Sequence, residues 1–120
     1  MWSDAPLLDA DAVDRLLQLG GTAFLRELVS LFTAQGAQRV TSIEQALTRG
    51  DLDTVRRGAH SLVSTAGNLG TRRLQRLAGA LEGAAHAHDV AALTTLVAAL
   101  GPVFEGSRAA LLAREAELAG

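Results

Sequence analysis

Ala59-His60-Ser61-Leu62-Val63-Ser64-Thr65-Ala66-Gly67-Asn68-Leu69-Gly70 is the stretch on which the reading of the chain turns. At the helical period of about 3.6 residues, Val55, Ala59, Leu62, Ala66 and Leu69 fall on one side of a helix. Asp53, Arg56, Arg57, His60, Ser64 and Gly67 fall on the other. His60 is therefore expected to face solvent. Two arginines lie one turn before it and only small residues one and two turns after it, so a large partner could reach the imidazole.

Outward from this helix the signals stay helical. Asp51-Leu52-Asp53 suits a helix N-terminus and its dipole, and Asn68-Leu69-Gly70 suits a C-terminus, glycine being the usual left-handed stop. Upstream, Asp9 or Asp11 can cap a short first helix through Leu19, with Val13, Leu16 and Leu17 on its apolar side and Gly20-Gly21 as its stop. Thr22 is then expected to cap a long helix whose apolar positions run from Leu25 through Phe32 and Ile43 to Leu47. Gly36 in its middle weakens it by about 1 kcal/mol relative to alanine. Downstream, Thr71 restarts a helix with Leu74, Leu77, Ala78, Leu81 and Ala85 as its stripe, ending at Ala87-His88-Asp89. Asp89 caps a last segment carrying Leu93, Leu96, Val97 and Leu100, and the pattern resumes after Gly101-Pro102 through Phe104, Leu111 and Leu112. Pro102 either kinks one helix or separates two.

Short connections make neighbouring helices antiparallel. The expected fold is all-α: an up-and-down antiparallel four-helix bundle with a short extra N-terminal helix. One domain is expected over residues 1–120, with the short helix at about 9–19 and the bundle helices at about 22–49, 52–69, 71–87 and 90–113, fraying from about Arg114. Leu28, Leu31, Phe32, Leu62, Leu69, Leu74 and Leu77 are read as core.

Composition narrows the function classes. A chain of 120 residues can bury roughly 65% of its unfolded surface, enough for one core without staples. There is no cysteine, hence neither a disulfide framework nor a cysteine-based zinc site, as suits a reducing cytosol. The start Met1-Trp2-Ser3-Asp4 lacks the features of a signal peptide, and no apolar run reads as a membrane span, so a cytoplasmic location without a membrane is expected. A net charge of −2 argues against a nucleic-acid binder held by counterion release. All 11 basic residues are arginine.

The ordered set His60, Leu62, Val63, Ser64, Thr65, Ala66, Leu69, Gly70, Leu74, Leu77, Leu81 and Glu82 resembles the histidine-containing phosphotransfer (Hpt) domain family. Leu8-Asp9, Gly20-Gly21 before Phe24-Leu25, and Phe32 extend the resemblance over about residues 7 to 100. The family has a lysine three residues after the histidine and a glycine at four; here these are Val63 and Ser64. Losing that lysine removes a charge-assisted contact of at most roughly 1.5–3 kcal/mol, less if exposed.

The resemblance implies that His60 is a phosphoacceptor. It would take a phosphoryl group from a receiver-domain aspartate and pass it to another receiver, within a multistep two-component phosphorelay. A neutral imidazole is a good nucleophile, and such transfers depend on positioning and charge spreading. Glu82 stands where a polar side chain of the next helix can hydrogen-bond the imidazole, against the plainer reading of an exposed helix glutamate. Arg56 and Arg57 can pair with phosphoryl oxygens in place of the lysine, against that of a solvated face. Ser64 and Gly67, with Val63, are expected in the docking surface, which draws on the helix of His60 and the long helix before it.

No cofactor of its own and no metal site are expected, Mg²⁺ and most of the catalytic machinery lying on the receiver, so the chain is read as a relay intermediate and not an enzyme. His86 and His88 are read as surface residues, although Glu82 and His86 share a helix face as two metal ligands would. The expected partners are response-regulator receiver domains, those of a hybrid sensor kinase among the candidates, met by a monomer. The competing reading is an Hpt-like docking module that binds a receiver or other regulator without phosphotransfer. An open face that keeps His60 favours the relay.

Overall fold

The computed structural model describes residues 1–119, and among these there are four α-helices and no strand. They are α1 (Ala10–Thr48), α2 (Leu52–Asn68), α3 (Arg72–His86) and α4 (Val90–Ala119), preceded by a 3-10 turn over Trp2–Asp4. Helix α2 packs on α1 and α3, and α4 packs on α1 and α3, while α2 and α4 lie diagonally opposite. This is the up-and-down antiparallel bundle that the short connections dictate. At its centre Phe32, Ile43, Leu62, Leu77, Leu81 and Leu100 are fully buried.

Within α1 the short N-terminal helix and the long one after it are separated by one non-helical residue. Straight, 39 residues would span about 58 Å, more than the 45 × 25 × 20 Å envelope accommodates. Gly21 provides the bend with φ 80° and ψ −173°, a conformation open to glycine and strained for other residues. The break that Gly20-Gly21 predicts is therefore present at Gly21, and Thr22 is the first helical residue of the long helix after it rather than its cap. Asp9, not Asp11, is the N-cap of α1, accepting from the Asp11 N–H.

Helix α4 decides one open alternative and corrects two expectations. It runs unbroken through Pro102, because the carbonyl deprived of its partner belongs to Ala98, which faces solvent. It continues past Arg114 to Ala119 instead of fraying, and the Arg114 guanidinium donates to Asp14 of α1 at 2.8 Å and to Glu117 at 3.0 Å. By length and composition α4 is also apolar enough to cross a membrane, where no apolar run was expected to be. In the fold its Leu93, Leu100, Phe104 and Leu111 lie in the bundle core.

The turn from α2 to α3 anchors the N-terminal end. Gly70 has φ 74°, and its carbonyl accepts from the Asp9 N–H at 2.8 Å. A Cβ there would stand 2.7 Å from the Ala12 Cβ and 2.9 Å from the Asp9 carbonyl, so a glycine is required twice over. Arg72 donates to Asp9 at 3.1 Å and to Gly67 O at 3.3 Å, and Arg73 donates to Ala5 O at 2.9 Å. The Arg72 guanidinium holds the Asp9 carboxyl below the usual aspartate range.

Candidate functional site

Helix α2 begins at Asp51, whose carboxylate accepts from both the Thr54 hydroxyl at 2.6 Å and the Thr54 N–H at 3.1 Å. Its apolar side, Val55, Ala59, Leu62 and Ala66, is fully buried, and that fixes the rotation of the helix about its axis. The opposite side therefore presents His60, whose side chain is 71% exposed. Burial of Leu74, Leu77, Ala78 and Leu81 fixes α3 in the same way and turns Glu82 toward α2.

Glu82 Oε2 lies 2.6 Å from His60 Nδ1. An ionised carboxylate only accepts, so the proton of this short bond sits on Nδ1 and the lone pair on Nε2. Nε2 keeps its lone pair on a side chain that is largely exposed. The contact joins residues 22 apart in sequence and pins the imidazole plane.

The same antiparallel register sets the rest of the seam between the two helices. On α2 the stripe is Arg56, His60, Val63 and Gly67, and on α3 it is Gln75, Gly79, Glu82 and His86. Gln75 lies across Gly67, where a Cβ would come within 2.7 Å of its Nε2. Val63 is half-buried and packs against the core. Arg56 and His86 line one cleft of about 300 Å³ with Leu52, Asp53, Ala85 and His88. Gly79 and Gly83 on α3 have nothing within 4 Å of where a Cβ would stand, so the ground beside Glu82 is open. Sequence reading missed Gln75, Gly79 and His86 as members of the seam, although their four-three-four spacing with Glu82 was the available signal.

Arg56 and Arg57 are both engaged by Asp53, at 3.0 Å each, one turn or more before His60. These pairs are exposed and worth about 0–1 kcal/mol, so either guanidinium can leave for a better anion. Ser64 is exposed and Gly67 half-buried. Among the described residues no group of three or more His, Asp or Glu side chains could hold a metal ion.

On the far side of the exposed α2 ridge, α1 and α2 enclose a second, apolar cleft of about 360 Å³. Its lining includes Phe24, Leu28, Leu31, Gln35, Thr65 and Asn68. Leu31, read as core, is 47% exposed here, and Leu28 is only half-buried. The α1 stripe is wider than the partner helix can cover, so its edge is left facing solvent beside α2.

The sequence profile of the Hpt domain matches residues 27–117. Among solved structures, this chain is similar to the crystal structure of histidine-containing phosphotransfer protein B (HptB) from Pseudomonas aeruginosa PAO1. The TM-score is 0.87 at 23% identity, over 94% of this chain and 97% of that one. No curated protein sequence matches.

Proposed function

This chain belongs to the Hpt domain family, the histidine phosphotransfer carriers of two-component phosphorelays, and from that membership we propose that His60 is its phosphoacceptor. The observation that carries the reading is the 2.6 Å contact of His60 Nδ1 with Glu82, which leaves the Nε2 lone pair available on a largely exposed side chain.

In the proposed step the Nε2 lone pair attacks the phosphorus of a receiver's aspartyl phosphate. The N–P bond forms as the P–O bond to the aspartyl group breaks, and that electron pair leaves on the receiver's carboxylate. The ring gains positive charge, which Glu82 offsets through the Nδ1 proton it already accepts. Transfer to a second receiver reverses these bond changes. Mg²⁺ and the remaining catalytic groups are supplied by the receiver, and this chain contributes a nucleophile and a docking surface. The proposed setting is the cytoplasm, with this chain a monomer.

Docking uses the low ridge of Ser61, Ser64 and Asn68 that separates His60 from the apolar α1–α2 cleft, together with Val63 and Gly67 on the other flank. Small side chains there let a receiver approach the imidazole while its own apolar residues cover Leu28 and Leu31. A transient contact of this kind buries less than roughly 1,200 Å².

The test is transfer of label from a phosphorylated receiver domain to this chain and to His60→Gln. Label on the parent alone, in an acid-labile and base-stable bond, is the expected result. Receiver binding with no label on either chain would instead identify a docking module.

A further inference from the structure

The family lysine is replaced by Val63, whose side chain packs against the core, so that position offers phosphoryl oxygens no cation. The seam offers another source, on the opposite side of His60. One turn back along α2 from His60 is Arg56, and one turn forward along α3 from Glu82 is His86. Because the helices are antiparallel, these two steps lead the same way, by about 6 Å each. Arg56 and His86 accordingly reach the same level and line the same cleft.

Resting on the reading of His60 as phosphoacceptor, we infer that Arg56 and His86 form a cradle that donates hydrogen bonds to the phosphoryl oxygens of phospho-His60. Both side chains carry N–H donors, and an imidazole keeps at least one whether neutral or protonated. Asp53 is the carboxylate at the cleft, and it is already occupied by Arg56 and Arg57. Arg56 Nη2 bonds Asp53 now and would rotate toward the dianionic phosphoryl group when that arrives, leaving Arg57 to neutralise Asp53. His86 is a positioning residue in this scheme, since it meets the phosphoryl oxygens and takes no part in bond making. His88 also lines the cleft, but it lies beyond the end of α3, in a turn where its own φ is 55°.

The experiment uses potassium phosphoramidate as the phosphoryl donor, so that no receiver surface enters the result. Nε2 attacks its phosphorus, the N–P bond to His60 forms, and the donor's P–N bond breaks with its electron pair leaving on nitrogen as ammonia. The modified residue is located by mass spectrometry, and loss of label from His60 is followed at fixed pH. His86→Ala and Arg56→Ala should each lose label about fivefold faster than the parent, the size expected of one typical hydrogen bond at an exposed site. His86→Gln, which keeps an N–H donor, should stay within about twofold of the parent. Long-range proton–nitrogen spectra should show the His86 imidazole shifting on phosphorylation while that of His88 does not, a signature that a purely structural role would not give. Equal lifetimes in the parent and His86→Ala, both folded and both labelled at His60, would overturn the cradle alone. A folded parent that takes no label at His60 would overturn the phosphoacceptor reading with it.

Discussion

Helices α2 and α3, of 17 and 15 residues, set a polar face against their buried stripe, whereas α1 and α4, of 39 and 30 residues, bury an equally regular stripe but also leave Leu19, Phe24, Leu31, Val90 and Leu112 exposed. The short pair carries the reactive seam on one face and a fully buried apolar stripe on the other. The long pair wraps that seam from behind, and its contacts are made by bulk: Phe32 of α1 stacks on Phe104 of α4 at 5.4 Å, over Gly36. The difference separates two jobs. A site that must present one imidazole at a set angle needs a polar face held opposite a buried stripe, and only the short pair combines the two along its length. A scaffold needs only filled volume, which many arrangements of alanine, leucine and phenylalanine supply.

If that division holds, damage to the long pair should cost stability while sparing the chemistry. Gly36 is the sharpest place to look, because a Cβ there would stand 2.4 Å from Phe104 Cε1. Alanine ordinarily favours a helix over glycine by about 1 kcal/mol, while overpacking a filled core costs about 1–3 kcal/mol. Gly36→Ala should therefore be destabilising by up to about 2 kcal/mol in urea unfolding, with transfer to the folded fraction unchanged. A stabilised variant would mean that Phe104 yields readily and that the long pair is looser than its packing indicates.

The converse substitution lies in the seam. Glu82→Ala removes the acceptor that orients His60 but leaves the core stripe of α3 intact, so unfolding should move by less than about 0.5 kcal/mol. Phosphotransfer should fall about tenfold, and Glu82→Gln, which still offers a carbonyl oxygen to Nδ1–H, should recover most of it. Loss of stability matching the loss of transfer would break the division between seam and scaffold.

The same contrast explains what could be read from the sequence. The buried residues of α2 and α3 are those that the 3.6-residue stripe selects, and His60 and Glu82 follow from them. The wrong core and boundary assignments fall mainly in the long pair. Leu31 is exposed because a stripe wider than its partner has an edge, and nothing local marks where the partner ends. Pro102 and Arg114 were read by local rules, as a possible break and as a frayed end. What decides them is the fold: the exposure of Ala98, the residue four before Pro102, in one case and Asp14, 100 residues away, in the other. Gly36 shows the same limit, since its cost to the helix is local and its reason, the Phe104 ring, is not. The Arg56–His86 level escaped for a related cause, because it becomes visible only once the register between two helices is known.

The smallest effect concerns how the two seam helices start. At α3 the Thr71 hydroxyl turns back to Ala66 O instead of capping, so that start carries no titrating cap. At α2 the Asp51 carboxylate accepts from the Thr54 hydroxyl and then from the Thr54 N–H, and these bonds hold its pKa below the ordinary aspartate value of 3.8. A carboxyl with a depressed folded-state pKa binds its proton more weakly folded than unfolded. Its contribution is thus complete above the unfolded value and disappears as pH falls through it toward the lower folded value. Asp9, held down by Arg72, acts with the same sign in the same window, at the anchor of the α2–α3 turn. Asparagine caps a helix about as well as aspartate but does not titrate. Asp51→Asn should therefore melt close to the parent at pH 7 and lose less stability than the parent between about pH 5 and 3, as followed by circular dichroism. An acid limb as steep as the parent's would shift the acid sensitivity of the bundle away from the start of α2 and onto the Asp9–Arg72 anchor.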